Sequence, residues 1–360
     1  MKIVVNALFL SQKITGVQRY AIEISKELKK IFKDEIKFVA PKNIIHHELA
    51  KILDVEVIGN FTGFLWEQVD LKHYLSRNNN PVLLNLRNTA PLFYQKNIVV
   101  LHDLIFMKNK KWFSKKCPYC YRIFAPILLK KALKIITVSD FSKQDIIKTF
   151  NIKPHNIEVV YNAVSSEFRE HSDENFENKY GDYILSVASL LSPRKNLCNI
   201  IKAFNKLNTR NLKLVVVGAE LKHFSDQNMF NEIKFNENII LAGYVDDKTL
   251  VNFYKNAKLL VFPSLYEGFG VPPIEAMSFG CPVLASNVAS LPEVCEDAAY
   301  YVDPYNVNDI FDGIDKILNS GSLRDELIQK GYERQAEFSW ENSACKLVKI
   351  IENIYTDSEY

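Results

Sequence analysis

Eleven short apolar runs, most of them rich in Val and Ile, punctuate this chain in two sets. The first set is Ile3–Leu10, Lys37–Ala40, Pro81–Leu86, Ile98–Leu101, Ile135–Ser139 and Ile157–Tyr161. The second is Tyr183–Ser189, Leu212–Gly218, Ile239–Leu241, Leu259–Pro263 and Pro282–Ser286. They lack the two-residue alternation of a half-exposed strand, so they read as strands of parallel sheets covered on both faces. Helical stretches such as Gly16–Lys30, Ser142–Phe150 and Asn196–Leu207 lie between them. Strand–helix–strand repetition of this kind builds doubly wound α/β domains.

The polar, charged segment 165–181 (SSEFREHSDENFENKYG) interrupts the pattern and has no apolar periodicity. It divides the chain into a domain over 1–164, a linker over 165–181 and a domain over 182–340. A helix over 341–360 is expected to pack back toward the first domain. Two domains suit the length of 360 residues. In such sheets ligands bind at the carboxyl ends of the strands, so the expected site is a cleft between two facing Rossmann-like domains.

Composition removes several classes of function. At 48% hydrophobic residues the chain has ample core and is not disordered, and six cysteines in 360 residues do not make a disulfide scaffold. The opening Met1–Leu10 is a short apolar run leading into polar residues, which reads as a buried strand and not as a signal peptide. No run approaches the about 20 apolar residues that span a bilayer. The expectation is a soluble, cytoplasmic protein. A net charge of +3 argues against a nucleic-acid binder. That average conceals an asymmetry: residues 1–164 hold 26 Lys and Arg against 13 Asp and Glu, and the rest hold 19 against 29.

The densest candidate site is Phe262–Met277 (FPSLYEGFGVPPIEAM), where a strand enters a Gly- and Pro-rich loop and a helix starts near Pro273 or Ile274. Gly268 and Gly270 let backbone approach a ligand, and a helix start offers N–H groups to an anion. Glu267 and Glu275 flank that turn, eight residues apart. Such carboxylates can accept from vicinal hydroxyls, although two solvated acids around a turn would look the same. Ser192-Pro193-Arg194-Lys195-Asn196 sets two cations at a helix start, where the macrodipole disfavours them unless an anion faces them. A pyrophosphate would satisfy both. Gly16, after the first strand, and His102-Asp103, after the strand Ile98–Leu101, are weaker candidates at the same kind of edge.

Further pieces occur in order along the chain. They are Gly16-Val17, Val100–Leu104 (VLHDL), Ile136–Lys143 (ITVSDFSK), Val160–Val164 (VYNAV), Ser186–Leu190 (SVASL), Ser192–Asn196, Val215–Gly218 and Leu241–Val245 (LAGYV). Glu267-x7-Glu275, Gly280–Val283 and Leu291–Val294 follow. Together they resemble the retaining nucleotide-sugar glycosyltransferases of family 4, which have the GT-B architecture. That resemblance implies roles. Arg194 and Lys195 bind the donor diphosphate, and Glu275 holds the ribose. Glu267 contacts the donor sugar or its phosphate side, near the backbone of Phe269, Gly270 and Val271. Gly16 faces the diphosphate, His102 the donor sugar, and Tyr244 and Val245 the nucleobase. It implies front-face transfer with retention and no protein nucleophile.

The chain has no Asp-x-Asp to hold a metal-bound diphosphate, so the expectation is a reaction without metal or cofactor. Trp66-Glu67-Gln68, Asn85–Pro91 and Trp112–Ser114 resemble bacterial members that build O-antigen or capsule, many of them mannosyl- or rhamnosyltransferases. GDP-mannose is the donor this likeness suggests, with UDP- or dTDP-sugars as alternatives. A nucleotide-sugar epimerase or a non-catalytic binding subunit shares the architecture. A dehydrogenase is disfavoured because no Gly-x-Gly-x-x-Gly follows either opening strand.

Cys117-Pro-Tyr-Cys120 has metal or redox spacing but no second pair, and reads as incidental. From Lys108 to Lys148 the chain carries eleven Lys and Arg with interleaved aromatics. That pattern fits a solvated face or a surface drawn to anionic lipid, which would serve a lipid-linked glycan acceptor.

Overall fold

A computed structural model describes residues 3–108, 118–170, 178–188, 193–207, 211–218, 233 and 236–357. Two compact units emerge. The first unites the residues up to Asn162 with the C-terminal stretch from Ser339, and the second runs from Ala163 to Phe338.

Among the described residues the first unit is built on seven parallel strands. They are β1 (Ile3–Asn6), β2 (Ile36–Ala40), β3 (Val55–Val57), β4 (Val82–Asn85), β5 (Asn97–Val100), β6 (Lys134–Thr137) and β7 (Ile157–Val159). Their order is β3-β2-β1-β4-β5-β6-β7. The register pairs Ile3 with Ile36 on one side and with Val82 on the other. The central strands β1, β4 and β5 are buried throughout, as helices on both faces of a parallel sheet require. One face packs Val4, Leu8, Val39, Leu71, Leu75 and Leu83 around the fully buried Trp66.

The second unit has six parallel strands: β8 (Tyr183–Val187), β9 (Lys213–Val217), β10 (Ile239–Gly243), β11 (Leu259–Phe262), β12 (Val283–Ser286) and β13 (Tyr300–Val302). Their order is β10-β9-β8-β11-β12-β13. The helices Leu197–Phe204 and Val307–Asn319 close one face through Ile200, Ile201, Ile310 and Ile314. Both units are therefore Rossmann-like. In each, the strand order reverses beside the first strand, between β1 and β4 and between β8 and β11. Crossovers on either side of such a reversal leave the sheet in opposite directions and open a crevice at the carboxyl edge.

The structure revises several local expectations. The opening strand stops at Asn6, and Leu8–Ser11 is a 3₁₀ turn, because Asn6 Oδ1 accepts from Leu8 N (3.2 Å) and turns the backbone. The strands β3 and β13, absent from the apolar pattern, are three-residue edge strands whose residues, apart from buried Val302, are half-exposed or exposed. Ser166–Glu170, inside the segment read as a linker, is a helix of the second unit. Ser165 Oγ accepts from Phe168 N (3.1 Å), and the buried Phe168 ring meets Phe279 at 5.8 Å.

The last helix, Trp340–Asp357, belongs to the first unit and packs on the helix Gly16–Phe32. Its buried face is Ala344, Leu347 and Ile351, and Trp340 meets Tyr20 edge-on at 5.6 Å. Truncating Leu347 to Ala leaves a cavity under this helix. The expected loss of about 2–5 kcal/mol is read as a lowered urea midpoint.

Candidate functional site

Lys195, at the carboxyl edge of the second sheet, is almost shut off from solvent. It sits on the 3₁₀ turn Pro193–Lys195 after β8, and its side chain is 8% exposed. Its Nζ lies 2.7 Å from Glu267 Oε1 and 4.5 Å from the centre of the Phe262 ring. Arg194 Nη1 lies 2.7 Å from the same carboxylate oxygen and donates to the Tyr266 carbonyl at 3.2 Å. Glu267 is delivered by the loop after β11, so the strand reversal brings two cations and one anion together. Leu265 N also donates to Arg194 O (2.8 Å), which pins the two loops to each other through backbone.

These charges are shifted by their surroundings. Burial alone would raise the Glu267 carboxyl, but Arg194 and Lys195 outweigh it and hold it at about 2. Burial lowers Lys195 to about 8, with Glu267 pulling it up and Arg194 pushing it down. The macrodipole argument asked for an anion in front of the two cations, and Glu267 is one.

The Gly-rich loop is shaped by specific contacts. Gly270 has φ +106° and precedes the helix Val271–Ser278, which starts two residues earlier than its prolines suggest. A Cβ there would lie 2.5 Å from Leu291 Cδ2, so only glycine fits. Pro272 and Pro273 carry no N–H, which leaves the donors of this terminus to Gly270 and Val271. Ser290 Oγ–H is shared between the carbonyls of Glu267 (3.0 Å) and Phe269 (2.8 Å). Phe269 is buried edge-on to Phe338 at 5.4 Å. Glu275, also buried, accepts a hydrogen bond from Tyr254 OH at its Oε2 (2.8 Å). Asn196 adopts φ +62° and donates to the carbonyls of Pro263 (3.0 Å) and Pro304 (2.6 Å).

Not every candidate joins this cluster. Tyr244 is 84% exposed at the end of the edge strand β10 and shares no hydrogen bond or ring contact with the cluster among the described residues. Val245 beside it is half-buried. Gly16 and His102 lie in the first unit. Gly16 opens the helix Gly16–Phe32 behind a Thr15–Gln18 capping box, and an added Cβ would meet nothing within 4 Å. His102 is buried against Tyr20, ring centres 4.9 Å apart. Burial lowers its imidazole to about 4, although a hydrogen bond to Leu86 opposes this. A carbonyl can only accept, so the contact of Nε2 with Leu86 O (3.2 Å) fixes Nε2–H as donor and Nδ1 as acceptor.

Sequence reasoning missed Tyr254, on the helix Asp247–Asn256, and Ser290, just before the helix Leu291–Cys295, which hold the site from elsewhere in the chain. It also gave no role to a buried polar chain at the reversal of the first sheet. There Glu67 Oε1 accepts from Asn6 Nδ2 (2.8 Å) and Thr89 Oγ (3.0 Å), and Asn6 also donates to Asn85 Oδ1 (3.1 Å).

In the basic stretch, Lys108 pairs with Asp145 at 2.5 Å and Lys134 with Glu158 at 3.6 Å. Phe64, stacked on Phe124 at 5.5 Å, and Phe93, capped by Lys72 and Lys131, are exposed beside it. The Cys117–Cys120 pair, Trp112 and Phe113 lie outside the residues whose side chains are described. Cys281 and Cys295 are buried thiols, pushed by burial up to about 12.

Comparison with known proteins finds two family models side by side. Glycosyltransferase Family 4 matches residues 14–168, and Glycosyl transferases group 1 matches residues 167–334. The chain is similar to the O-antigen chain mannosyltransferase B of Escherichia coli, 27% identical over 97% of this chain and 98% of that one. It is 32% identical over 69% of its length to the serotype-specific mannosyltransferase WbdA of Escherichia coli, of which it spans 32%. The crystal structure of Anabaena HepE in complex with UDP-glucose has the same fold, with a TM-score of 0.74 at 16% identity over 98% of this chain and 100% of that one.

The ion cluster sets an acid response. A carboxyl held at about 2 against an ordinary 4.5 stabilises the fold above pH 4.5, and this contribution fades as pH falls toward 2. In Glu267→Gln, with buried Lys195 and half-buried Arg194 left without their counter-charge, the loss at pH 7 is expected to be about 3 kcal/mol, the lower end for a broken buried pair because Arg194 is partly solvated. Urea unfolding at a series of pH values should show the gap from wild type narrowing below pH 4.5.

Proposed function

We propose, for a chain that belongs to the two-domain glycosyltransferases of family 4, that it moves mannose from GDP-mannose to a growing, lipid-linked glycan in bacterial surface polysaccharide synthesis. The observation that carries the reading is the meeting of Arg194 and Lys195 on Glu267 at the reversal of the second sheet. A buried lysine and a half-buried arginine beside a glycine turn form a receptor for a diphosphate, whose charges can take over from Glu267. Glu275, oriented by Tyr254, is the acceptor for the ribose hydroxyls. The mannose donor is supported by the mannosyltransferase relatives.

The chemistry follows from these charges. The acceptor hydroxyl oxygen bonds to the anomeric carbon while the bond from that carbon to the phosphate oxygen breaks. The leaving diphosphate takes the hydroxyl proton, and Arg194 and Lys195 stabilise its charge. Attack and departure on the same face retain the anomeric configuration. Glu267, tied to two cations and held at about 2, is a poor nucleophile, which favours this route over a covalent intermediate. With Arg194 and Lys195 supplying the positive charge, the transfer needs no divalent cation. His102, uncharged and with Nδ1 free to accept, suits a sugar hydroxyl better than proton transfer.

Thermal shifts with GDP, UDP, dTDP and ADP rank the base, since a ligand at 100 times its Kd adds about 2.7 kcal/mol of stability. GDP should give the largest shift. Transfer from GDP-mannose should persist in EDTA and yield the α-linked product by NMR. Glu275→Ala and Arg194→Ala should each lose most of it while remaining folded; near-normal rates in either would falsify the site.

The apolar and basic surface around Phe64, Phe93 and Lys131 suits the face of an anionic membrane carrying a lipid-linked acceptor. No helix among the described residues is long and apolar enough to cross a membrane. Co-sedimentation should favour phosphatidylglycerol over phosphatidylcholine vesicles at low salt. Equal binding to both would remove the membrane from the proposal.

A further inference from the structure

Arg334, near the end of the helix Gly321–Ala336, is a charged side chain only 11% exposed. It pairs with Glu296 (2.9 Å) and Glu337 (2.5 Å), but both acids are more than half exposed, and ion pairs of that kind contribute little. The other contacts of the guanidinium are to backbone and to a ring. Nε donates to Val294 O (3.0 Å) and Nη2 to Glu293 O (2.8 Å). Its central carbon lies 4.8 Å from the centre of the Phe338 ring.

Both sets of contacts lead to the glycine loop, within the second unit. Glu293 and Val294 belong to Leu291–Cys295, a helix of five residues and too short to hold its own direction. Arg334 takes two of the carbonyls that such a helix end leaves without intrahelical partners, where a cation is also favoured. At the other end of the helix, Ser290 Oγ donates to the carbonyls of Glu267 and Phe269. Leu291 Cδ2 fills the space that a side chain at Gly270 would need. A trans peptide sets its C=O and N–H on opposite sides, so turning Phe269 O toward Ser290 turns the Gly270 N–H away from it. The second path runs through rings, since the buried Phe338 meets the buried Phe269 edge-on at 5.4 Å.

The loop from Glu267 to Gly270 is thus gripped by its main chain through Ser290 and by a side chain through Phe338. Arg334 is the group common to both grips. We propose that Arg334 is a positioning residue for nucleotide binding: without touching the ligand, it fixes the peptide planes of the loop that meets the donor diphosphate. The role calls for a flat fork, because a lysine cannot lie on a ring and reach two carbonyls at once. The inference rests on the glycosyl-transfer reading of that loop and adds to it a residue from a distant helix.

The test uses the full chain with GDP and UDP as probes, and calorimetry well below the lowest melting temperature. Arg334→Met keeps an apolar stem against Phe338 and drops the fork, whereas Arg334→Lys keeps the charge alone. Each should raise the Kd of the tighter nucleotide about fivefold or more, and Phe338→Leu should do the same by the second path. Hydrogen–deuterium exchange of the amides from Glu267 to Val271 should quicken in all three variants with no ligand present. Leu327→Ala, which opens the core beneath the same helix, is the control. It should lower the melting temperature and leave the Kd unchanged. An unchanged Kd in both Arg334 variants overturns the inference, whatever their melting temperatures, and so does quicker exchange without loss of affinity. An equal loss of affinity in Leu327→Ala overturns it too, since any softening of the domain would then suffice. Should the Arg334 variants fail to fold, Phe338→Leu decides by the same criteria. If the wild type binds neither nucleotide, the donor reading falls and the inference with it, an outcome distinct from normal wild-type binding that the variants leave intact.

Discussion

Parallel pairing of strands is the constraint from which this site follows. In a parallel sheet every strand ends on the same edge, so every loop after a strand is delivered to one side of the domain. The strand order then decides which loops become neighbours with a gap between them. In the second sheet the reversal between β8 and β11 places the loop of Arg194 and Lys195 against the loop of Glu267, although 72 residues separate Lys195 from that acid. In the first sheet the reversal between β1 and β4 does the same for Asn6 and Asn85, 79 residues apart.

The two crevices are furnished differently. The second has two cations on one carboxylate with an aromatic ring under the lysine, an arrangement with net positive charge in which Lys195 is buried and Arg194 half-buried. The first has amides, a hydroxyl and one acid. The whole-chain division of charge runs the other way, with the first half basic and the second acidic. Local furnishing and global charge thus act at different ranges. A few buried groups set the chemistry of each strand reversal, while the solvated lysines of the first half set the longer-range field around the protein.

Much of this was legible in the residues. Buried parallel strands must be apolar on both faces, so β1, β4, β8 and β11 announce themselves as Val, Ile and Leu runs. Edge strands need not be, and β3 (Val-Glu-Val) and β13 (Tyr-Tyr-Val) passed unnoticed for that reason. Arg194, Lys195, Glu267 and Glu275 stand in two local motifs, and the dipole argument asked for an anion facing the cations and named a pyrophosphate. It could not say that the anion is Glu267. Tyr254, Ser290 and the Asn6–Glu67–Asn85 chain carry no local signature, because their partners are joined only by the fold. The exposure of Tyr244, at the end of an edge strand, is likewise a property of its place in the sheet and not of its neighbours in the chain.

Glu267 is itself a ligand of the site it helps to build. Because it is tethered, its effective concentration at Arg194 and Lys195 is high, and any incoming anion must compete with it. A singly charged ion gains little from displacing a carboxylate of equal charge. A diphosphate, the ligand of the proposed function, would bring more charge and more oxygens to that competition. Under the proposed function the tethered acid would act as an admission threshold, which a singly charged anion would not pass and a ligand with two phosphates would.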